Sequence, residues 1–212
     1  MKVKQRLEDV WNQQHRCPRG IVGWLVSEQM VRQHRPETAW TIDLLHIQPT
    51  DTVLEIGFGA GEGVRLAALK ACDGRVMGID LSEDMVRVAK RRNARAVKAE
   101  RVVLSQGTVT ALPFQDQQFD KIMTIHTVYF WSEIFQALSE LYRVLKPEGR
   151  VVITLSTGRI NAQGEVEIWP PFQAILQEQV VPGMRQEGFK AVQLVEGPNS
   201  WQYNSIAVVG AK

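Results

Sequence analysis

The sequence predicts an α/β fold in which helices cover both faces of a mostly parallel sheet. Three observations carry that prediction. From Thr52 onward, short apolar runs alternate with amphipathic stretches, the pattern of successive βαβ units. One of those runs enters a glycine-rich turn, Gly57-Phe58-Gly59-Ala60-Gly61, that opens a helix. The 212 residues are 44% hydrophobic and 23% charged, a globular composition that allows one large domain burying roughly 70% of its unfolded surface.

The elements follow in order. Val3, Leu7, Val10 and Trp11 keep a helical period, and Ile21, Val22, Leu25, Val26 and Met30 resume it after Pro18-Arg19-Gly20. A third helix starts at Pro36, a residue suited to a first helical position, and stops at Pro49-Thr50-Asp51. Residues 1–49 thus form an N-terminal helical cap. The core, 50–155, begins with a strand at Val53-Leu54-Glu55-Ile56, a helix from Val64 to Lys70, a strand at Val76-Met77-Gly78-Ile79 and a helix from Met85 to Arg92. Further strands are expected at Val102 to Leu104, Lys121 to Ile125 and Val151 to Leu155, with a helix from about Ser132 to Val144. In the last part, 156–212, Ser156 to Glu167 reads as a mobile loop and Pro170 to Gln179 as a helix. Ala191 to Val195 and Ser205 to Val209 are strands too close in sequence for a crossover, so the pair should be antiparallel. The whole chain is read as one domain.

Charge and cysteine content exclude several roles. Lys+Arg 25 against Asp+Glu 23 leaves a net charge of +2, too mild for a nucleic-acid footprint. The basic run Lys90, Arg91, Arg92, Arg95, Lys98 and Arg101 reads as a solvated helix face. Cys17 and Cys72 are too few for a disulfide framework and lack C-x-x-C spacing. No apolar run approaches the roughly 20 residues of a membrane span, and Glu8 and Asp9 interrupt any leader. A cytoplasmic protein, monomer or homodimer, is expected.

The glycine turn is the most informative segment. Its glycines let the backbone turn tightly beside a ligand, and the helix behind it offers N–H donors to an anion. The dinucleotide register G-x-G-x-x-G/A fails, because Glu62 or Val64 occupies the sixth position. No Gly-Lys-Ser/Thr follows, so a P-loop is excluded.

Glu55 followed by Gly57-Phe58-Gly59-Ala60-Gly61 resembles the first motif of the class I S-adenosylmethionine-dependent methyltransferases. Gly78-Ile79-Asp80-Leu81-Ser82 is similar to that family's second-strand motif. Gly107-Thr108-Val109-Thr110-Ala111-Leu112-Pro113-Phe114, Phe119-Asp120-Lys121-Ile122 and Val144-Leu145-Lys146-Pro147-Glu148-Gly149-Arg150 resemble three later ones in the right order. The resemblance covers about Thr50 to Leu155. It implies a Rossmann-like, seven-stranded, mostly parallel sheet with an antiparallel last strand, and S-adenosylmethionine as cofactor, leaving as S-adenosylhomocysteine.

The resemblance implies the cofactor residues, and position along the chain suggests the acceptor side, on which the resemblance is silent. Glu55 meets the cofactor's ammonium and Asp80 its two ribose hydroxyls, which a carboxylate accepts bidentately. Gly57, Phe58, Gly59, Gly61, Leu81, Gly107, Thr108 and Val109 complete the cofactor site. Thr108 stands where the family usually has an Asp for the adenine amino group, so its contact there is weaker. His126, just past the fourth strand, is expected to contact cofactor or acceptor and to serve as general base. His15, Trp24, Trp40, Tyr129, Trp131 and Trp169 are the expected acceptor pocket. The acceptor is a small molecule: His126-Thr127-Val128-Tyr129 replaces the N/D-P-P-Y/F stretch of nucleic-acid amino-methylating enzymes, the Pro-Cys of cytosine enzymes and the acidic metal ligands of catechol enzymes. No metal is implied. The reaction would be an in-line displacement, in which the protein contributes alignment and exclusion of water. A non-catalytic cofactor-binding or interaction module is the alternative, and the glycine register argues against a nicotinamide oxidoreductase.

Overall fold

The computed structural model describes residues 29–161, 163, 165–197 and 203–212. Helical residues 29–33 lead through His34 into α1 (Arg35–Leu45). Then come β1 (Thr52–Ile56), α2 (Glu62–Lys70), β2 (Arg75–Asp80), α3 (Glu83–Arg92), α4 (Ala94–Lys98), β3 (Val102–Gln106) and β4 (Phe119–Ile125). A 3₁₀ turn (Val128–Phe130), α5 (Ile134–Val144), β5 (Leu145–Ile160) and β6 (Val166–Ile168) follow. The chain closes with α6 (Pro170–Ala174), a π-helical segment (Ile175–Val180), α7 (Val181–Glu187), β7 (Lys190–Glu196) and β8 (Tyr203–Ala211).

The strands form one sheet in the order β3-β2-β1-β4-β5-β8-β7, with β6 pairing to β5. Strands β1 to β5 are parallel neighbours, and β8 runs antiparallel to both β5 and β7. The expected antiparallel C-terminal pair is present. So is one strand more than the seven that the resemblance implies. The extra strand, β6, lies in the stretch read as a mobile loop. There β5 continues to Ile160 and folds back on itself, with Gly158, Arg159 and Ile160 facing Ile168, Glu167 and Val166. Arg159 Nε donates to Glu167 at 2.7 Å across the pair. Polar residues concealed this hairpin because β6 is exposed throughout, so no apolar alternation marks it.

Period-two alternation builds two cores. Leu54, Ile56, Ile79, Ile122, Val151, Ile153 and Val208 face α5, the π segment and α7. Val53, Val76, Val102, Met123, Val152 and Val209 face α1, α2 and α3. Adjacent residues such as Val53 and Leu54 are both fully buried, as expected of a strand covered on both faces. Helix α1 therefore belongs to the covering layer, burying Ile42 and Leu45, and is not a detachable cap. Of the two helices expected before α1, only residues 29–33 fall among the described residues.

Local chemistry sets the helix ends. Ser82 caps α3 by accepting from the Met85 N–H at 3.4 Å, Glu83 and Asp84 occupy its first turn, and Lys90, Arg91 and Arg92 its last. That order matches the helix dipole. Between Pro170 and Glu187 the chain stays helical but widens to a π form. Pro182, early in α7, has no N–H for the carbonyl four residues back, and the turn before it loosens. Among the described residues no helix is long and apolar enough to cross a membrane.

Candidate active site

The carboxyl ends of β1, β2 and β4 converge on a cavity of about 800 Å³. The sheet's order reverses between β1 and β4, and ligands of open α/β sheets bind in the crevice outside such a reversal.

The loop after β1 forms one wall. Gly57, Gly59 and Gly61 all have positive φ, at 69°, 51° and 81°, a conformation that only glycine adopts cheaply. A Cβ at Gly57 would lie 2.4 Å from Thr127 Cγ2, and one at Gly61 2.7 Å from Ala89 Cβ. At Gly59 it would meet nothing within 4 Å. Gly59 is therefore glycine for its backbone angle, and the space above it is cavity.

Glu55 ends β1 and is 3% exposed. Its carboxylate accepts the Val64 N–H, yet burial, then Asp80 and Glu62, raise its pKa well above the usual carboxylate range. Its Oε2 is buried with no hydrogen-bond partner. Gly63 makes room for it, since a Cβ there would fall 2.2 Å from Glu55 Oε1. The nearby Glu62 is satisfied, taking Arg65 Nε at 2.9 Å and Nη2 at 2.7 Å, which lowers its pKa. Of these two acids at the cavity, Glu55 is the one left wanting a cation.

Asp80 ends β2. Its Oδ2 accepts from Gly59 N and its Oδ1 from Ser82 N, each at 2.8 Å. Burial raises its pKa against those two bonds. Each oxygen keeps lone-pair capacity for a ligand hydroxyl. Leu81, Gly107, Thr108 and Val109 also line the cavity, and the Thr108 hydroxyl is shared with Thr110 at 3.0 Å. Phe58 reaches the lining while packing over Gly78, whose Cβ would lie 2.7 Å from its ring. Apart from Gly61, which shapes the turn behind it, the cofactor residues expected from sequence all border one cavity. An orphaned buried carboxylate oxygen, open space above Gly59 and a diol-accepting Asp suit adenosylmethionine.

The opposite wall is a chain of ring contacts. Phe130 meets Tyr129 at 4.4 Å, Tyr129 meets Phe172 at 5.2 Å and Phe172 meets Trp169 at 5.9 Å. Trp169 meets Tyr203 at 6.1 Å, Tyr203 meets His34 at 5.0 Å and His34 meets His126 at 4.2 Å. Tyr129, Trp131 and Trp169 line the cavity. Trp40 does not. It packs at the far side, where a Cβ on Gly197 would lie 2.7 Å from its ring, because α1 presents that side to the sheet edge. His15 and Trp24 lie outside the described residues. Sequence reasoning missed His34, Thr38, Phe172 and Tyr203, which belong to no motif.

His126 adopts φ 56°, an uncommon angle for a residue with a side chain. Its N–H still donates to the Thr154 carbonyl at 2.9 Å, and its Nδ1 accepts from Ser156 N at 3.3 Å. The proton of the neutral ring therefore sits on Nε2, which is buried without a partner. Burial, then His34, lowers its pKa to about 3, with Glu37 opposing. The general-base role expected of His126 does not fit this geometry: the one available lone pair is already used by Ser156.

The methyltransferase domain family matches residues 54–153. The uncharacterised methyltransferase YdaC of Bacillus subtilis is 32% identical over 136 residues, which are 64% of this chain and 73% of that protein. A demethylmenaquinone methyltransferase of Symbiobacterium thermophilum is 34% identical over 162 residues, 74% of this chain and 63% of that protein. The chain thus spans a little under two thirds of this second relative. A solved S-adenosylmethionine-dependent methyltransferase from Aquifex aeolicus shares the fold with a TM-score of 0.69 and 22% identity, over 85% of this chain and 92% of that one. The glycine loop, the acids at the ends of β1 and β2 and these likenesses agree: this chain belongs to the class I S-adenosylmethionine-dependent methyltransferases.

Proposed function

We propose that the protein transfers a methyl group to a flat aromatic small molecule by in-line displacement. The observation that carries this reading is the unbroken wall of rings from Phe130 through Phe172 and Trp169 to Tyr203, facing the glycine loop across one cavity. Aromatic faces stack on planar ligands, and a mostly apolar pocket with few polar groups is how small organic acceptors are held. The relative named for demethylmenaquinone acts on a quinone, a planar acceptor of this class.

Bound adenosylmethionine supplies an electrophilic methyl on a sulfonium. Glu55 holds the ammonium, Asp80 accepts the ribose hydroxyls, and Leu81 and Val109 flank the base. The ring wall aligns the acceptor and keeps water out, and alignment alone is worth several kcal/mol in such a displacement.

The test is transfer of radiolabelled methyl from adenosylmethionine to a panel of hydroxylated naphthalenes, simple phenols, aliphatic amines and unmodified transfer RNA. Label in the naphthalene or phenol fraction is expected. Label confined to amines or RNA overturns the reading.

A further inference from the structure

We propose that His34, oriented by the buried carboxylate of Glu37, is the general base that takes the proton of a hydroxylated acceptor. The proposal deepens the aromatic-acceptor reading and rests on it for the identity of the acceptor.

His34 lines the cavity at the junction between the helical residues 29–33 and α1. Its side chain is 18% exposed, that of Glu37 not at all. Its Nδ1 is buried without a hydrogen bond and stands 3.9 Å from Glu37 Oε1. Nε2 is therefore the nitrogen left for a ligand. A neutral imidazole at this distance makes little of the carboxylate, whereas an imidazolium gains a charge-assisted partner already in place. Glu37 is a fully buried acid that the cofactor site does not use.

The neighbours support this division of labour. His126 packs against His34 with ring centroids 4.2 Å apart, and its lone pair is engaged by Ser156, so the two rings do not compete for one proton. Tyr203, at 5.0 Å, closes the other side. Among the described residues, Glu37, His126 and Tyr203 are the titratable groups in contact with His34, from α1, the end of β4 and β8. In the reaction, the acceptor O–H gives its proton to His34 Nε2, and the freed oxygen pair forms the bond to the methyl carbon. The carbon–sulfur bond breaks with its electron pair remaining on sulfur, and the imidazolium is balanced by Glu37.

Two measurements decide the matter. Nitrogen-15 histidine NMR of the full chain reads which ring nitrogen of His34 carries the proton, in wild type and in Glu37→Gln. Wild type should carry the ring proton on Nδ1, toward Glu37, leaving Nε2 as the lone pair, and loss of the carboxylate should shift the proton to Nε2; an unchanged tautomer overturns the pairing. With 1,4-dihydroxynaphthalene as probe, His34→Asn should lower kcat at least 100-fold and abolish the acidic limb of the pH profile. Its dissociation constant for adenosylhomocysteine should stay within about twofold. Wild-type kcat and profile in His34→Asn overturn the base assignment. If wild type methylates no hydroxylated naphthalene or phenol, the aromatic-acceptor reading fails, while the NMR result still decides whether Glu37 governs His34.

Discussion

Replacing Glu55 with Gln should move affinity and stability in opposite directions. The amide keeps the shape of the side chain, and its oxygen can still accept the Val64 N–H, so the strand end and Gly63 are undisturbed. What is lost is the charge. A hydrogen bond to a charged group is worth roughly 1.5–3 kcal/mol, so the dissociation constant for adenosylmethionine should rise roughly 10- to 150-fold. The unliganded protein should gain stability, because a buried neutral amide costs less than a buried carboxylate. The sign follows from linkage: the Glu55 pKa is raised on folding, chiefly by burial. Its contribution is therefore most favourable below the unfolded value near 4.5 and is lost as pH rises through the folded value. The melting temperature of Glu55→Gln should exceed that of wild type by a margin that grows above pH 4.5 and then levels. Titration calorimetry with adenosylhomocysteine and thermal melts from about pH 4 to 8 measure both quantities. Unchanged affinity, or a variant less stable than wild type at neutral pH, would refute the assignment of Glu55 to the ligand's ammonium.

Other substitutions probe the same geometry. Asp80→Ala removes the acceptor for Gly59 N and Ser82 N and for the ribose, so cofactor binding should weaken by about 2 kcal/mol or more, roughly 30-fold; calorimetry showing equal affinity would sink the ribose role. Gly59→Val places a Cβ that meets nothing within 4 Å and strains the backbone by about 1–2 kcal/mol, yet fills ligand space; a folded variant that binds normally would mean the glycine serves the turn alone. Folded His126 is held near a pKa of about 3 while the unfolded ring protonates near 6.5, so only the unfolded state takes up the proton in that window and stability is lost as pH is lowered through it, by up to about 1.4 kcal/mol per pH unit. Urea midpoints of His126→Gln should fall less steeply there, and an identical slope would contradict the burial argument. Arg143 ties the loop after β3 to α5 by donating to the Leu112 and Phe114 carbonyls at 3.0 and 2.8 Å, while Glu140 takes the Leu112 N–H at 2.7 Å. Arg143→Met should raise KM for adenosylmethionine several-fold and leave kcat largely unchanged, and a pure kcat defect would disprove the tether.

The legible parts of this protein are those fixed by local or periodic constraints. Glycines with forced angles, a capped helix after β2 and apolar runs buried on both faces each leave a sequence mark, so β1 to β4 and the whole polar half of the cavity can be read from the amino-acid sequence alone. The β5–β6 hairpin could not be, because Val166 to Ile168 is exposed throughout and shows no alternation. His34 and Tyr203 escaped for another reason. They come from opposite ends of the chain and meet only because β8 lies beside β5 while α1 packs across it. Trp40 misled for the same reason, since helical spacing shows that a face is apolar but not which neighbour receives it.

Polar dissatisfaction in this molecule gathers where the chemistry is. Buried side-chain polar atoms are nearly always hydrogen-bonded, yet seven such atoms among the described residues lack a hydrogen bond, and four of them, Glu55 Oε2, His34 Nδ1, His126 Nε2 and Ser156 Oγ, belong to residues that line the same cavity. Each sits at or beside the carboxyl end of β1, β4 or β5, or across from it. Away from the cavity, Asp120 takes both the Thr52 N–H and Lys146, and Thr41 and Thr154 share a hydrogen bond at 2.6 Å. The fold has therefore left desolvation costs unoffset at the crevice that its strand order opens. A ligand bringing an ammonium to Glu55 and a polar atom to the histidines relieves them on binding. Part of the binding energy is thus stored in the empty site, and adenosylmethionine at one fixed, saturating concentration should stabilise the protein more than it stabilises Glu55→Gln. Thermal shifts measured at that equal ligand concentration compare the two, and equal shifts would mean that the buried carboxylate stores nothing for the ligand.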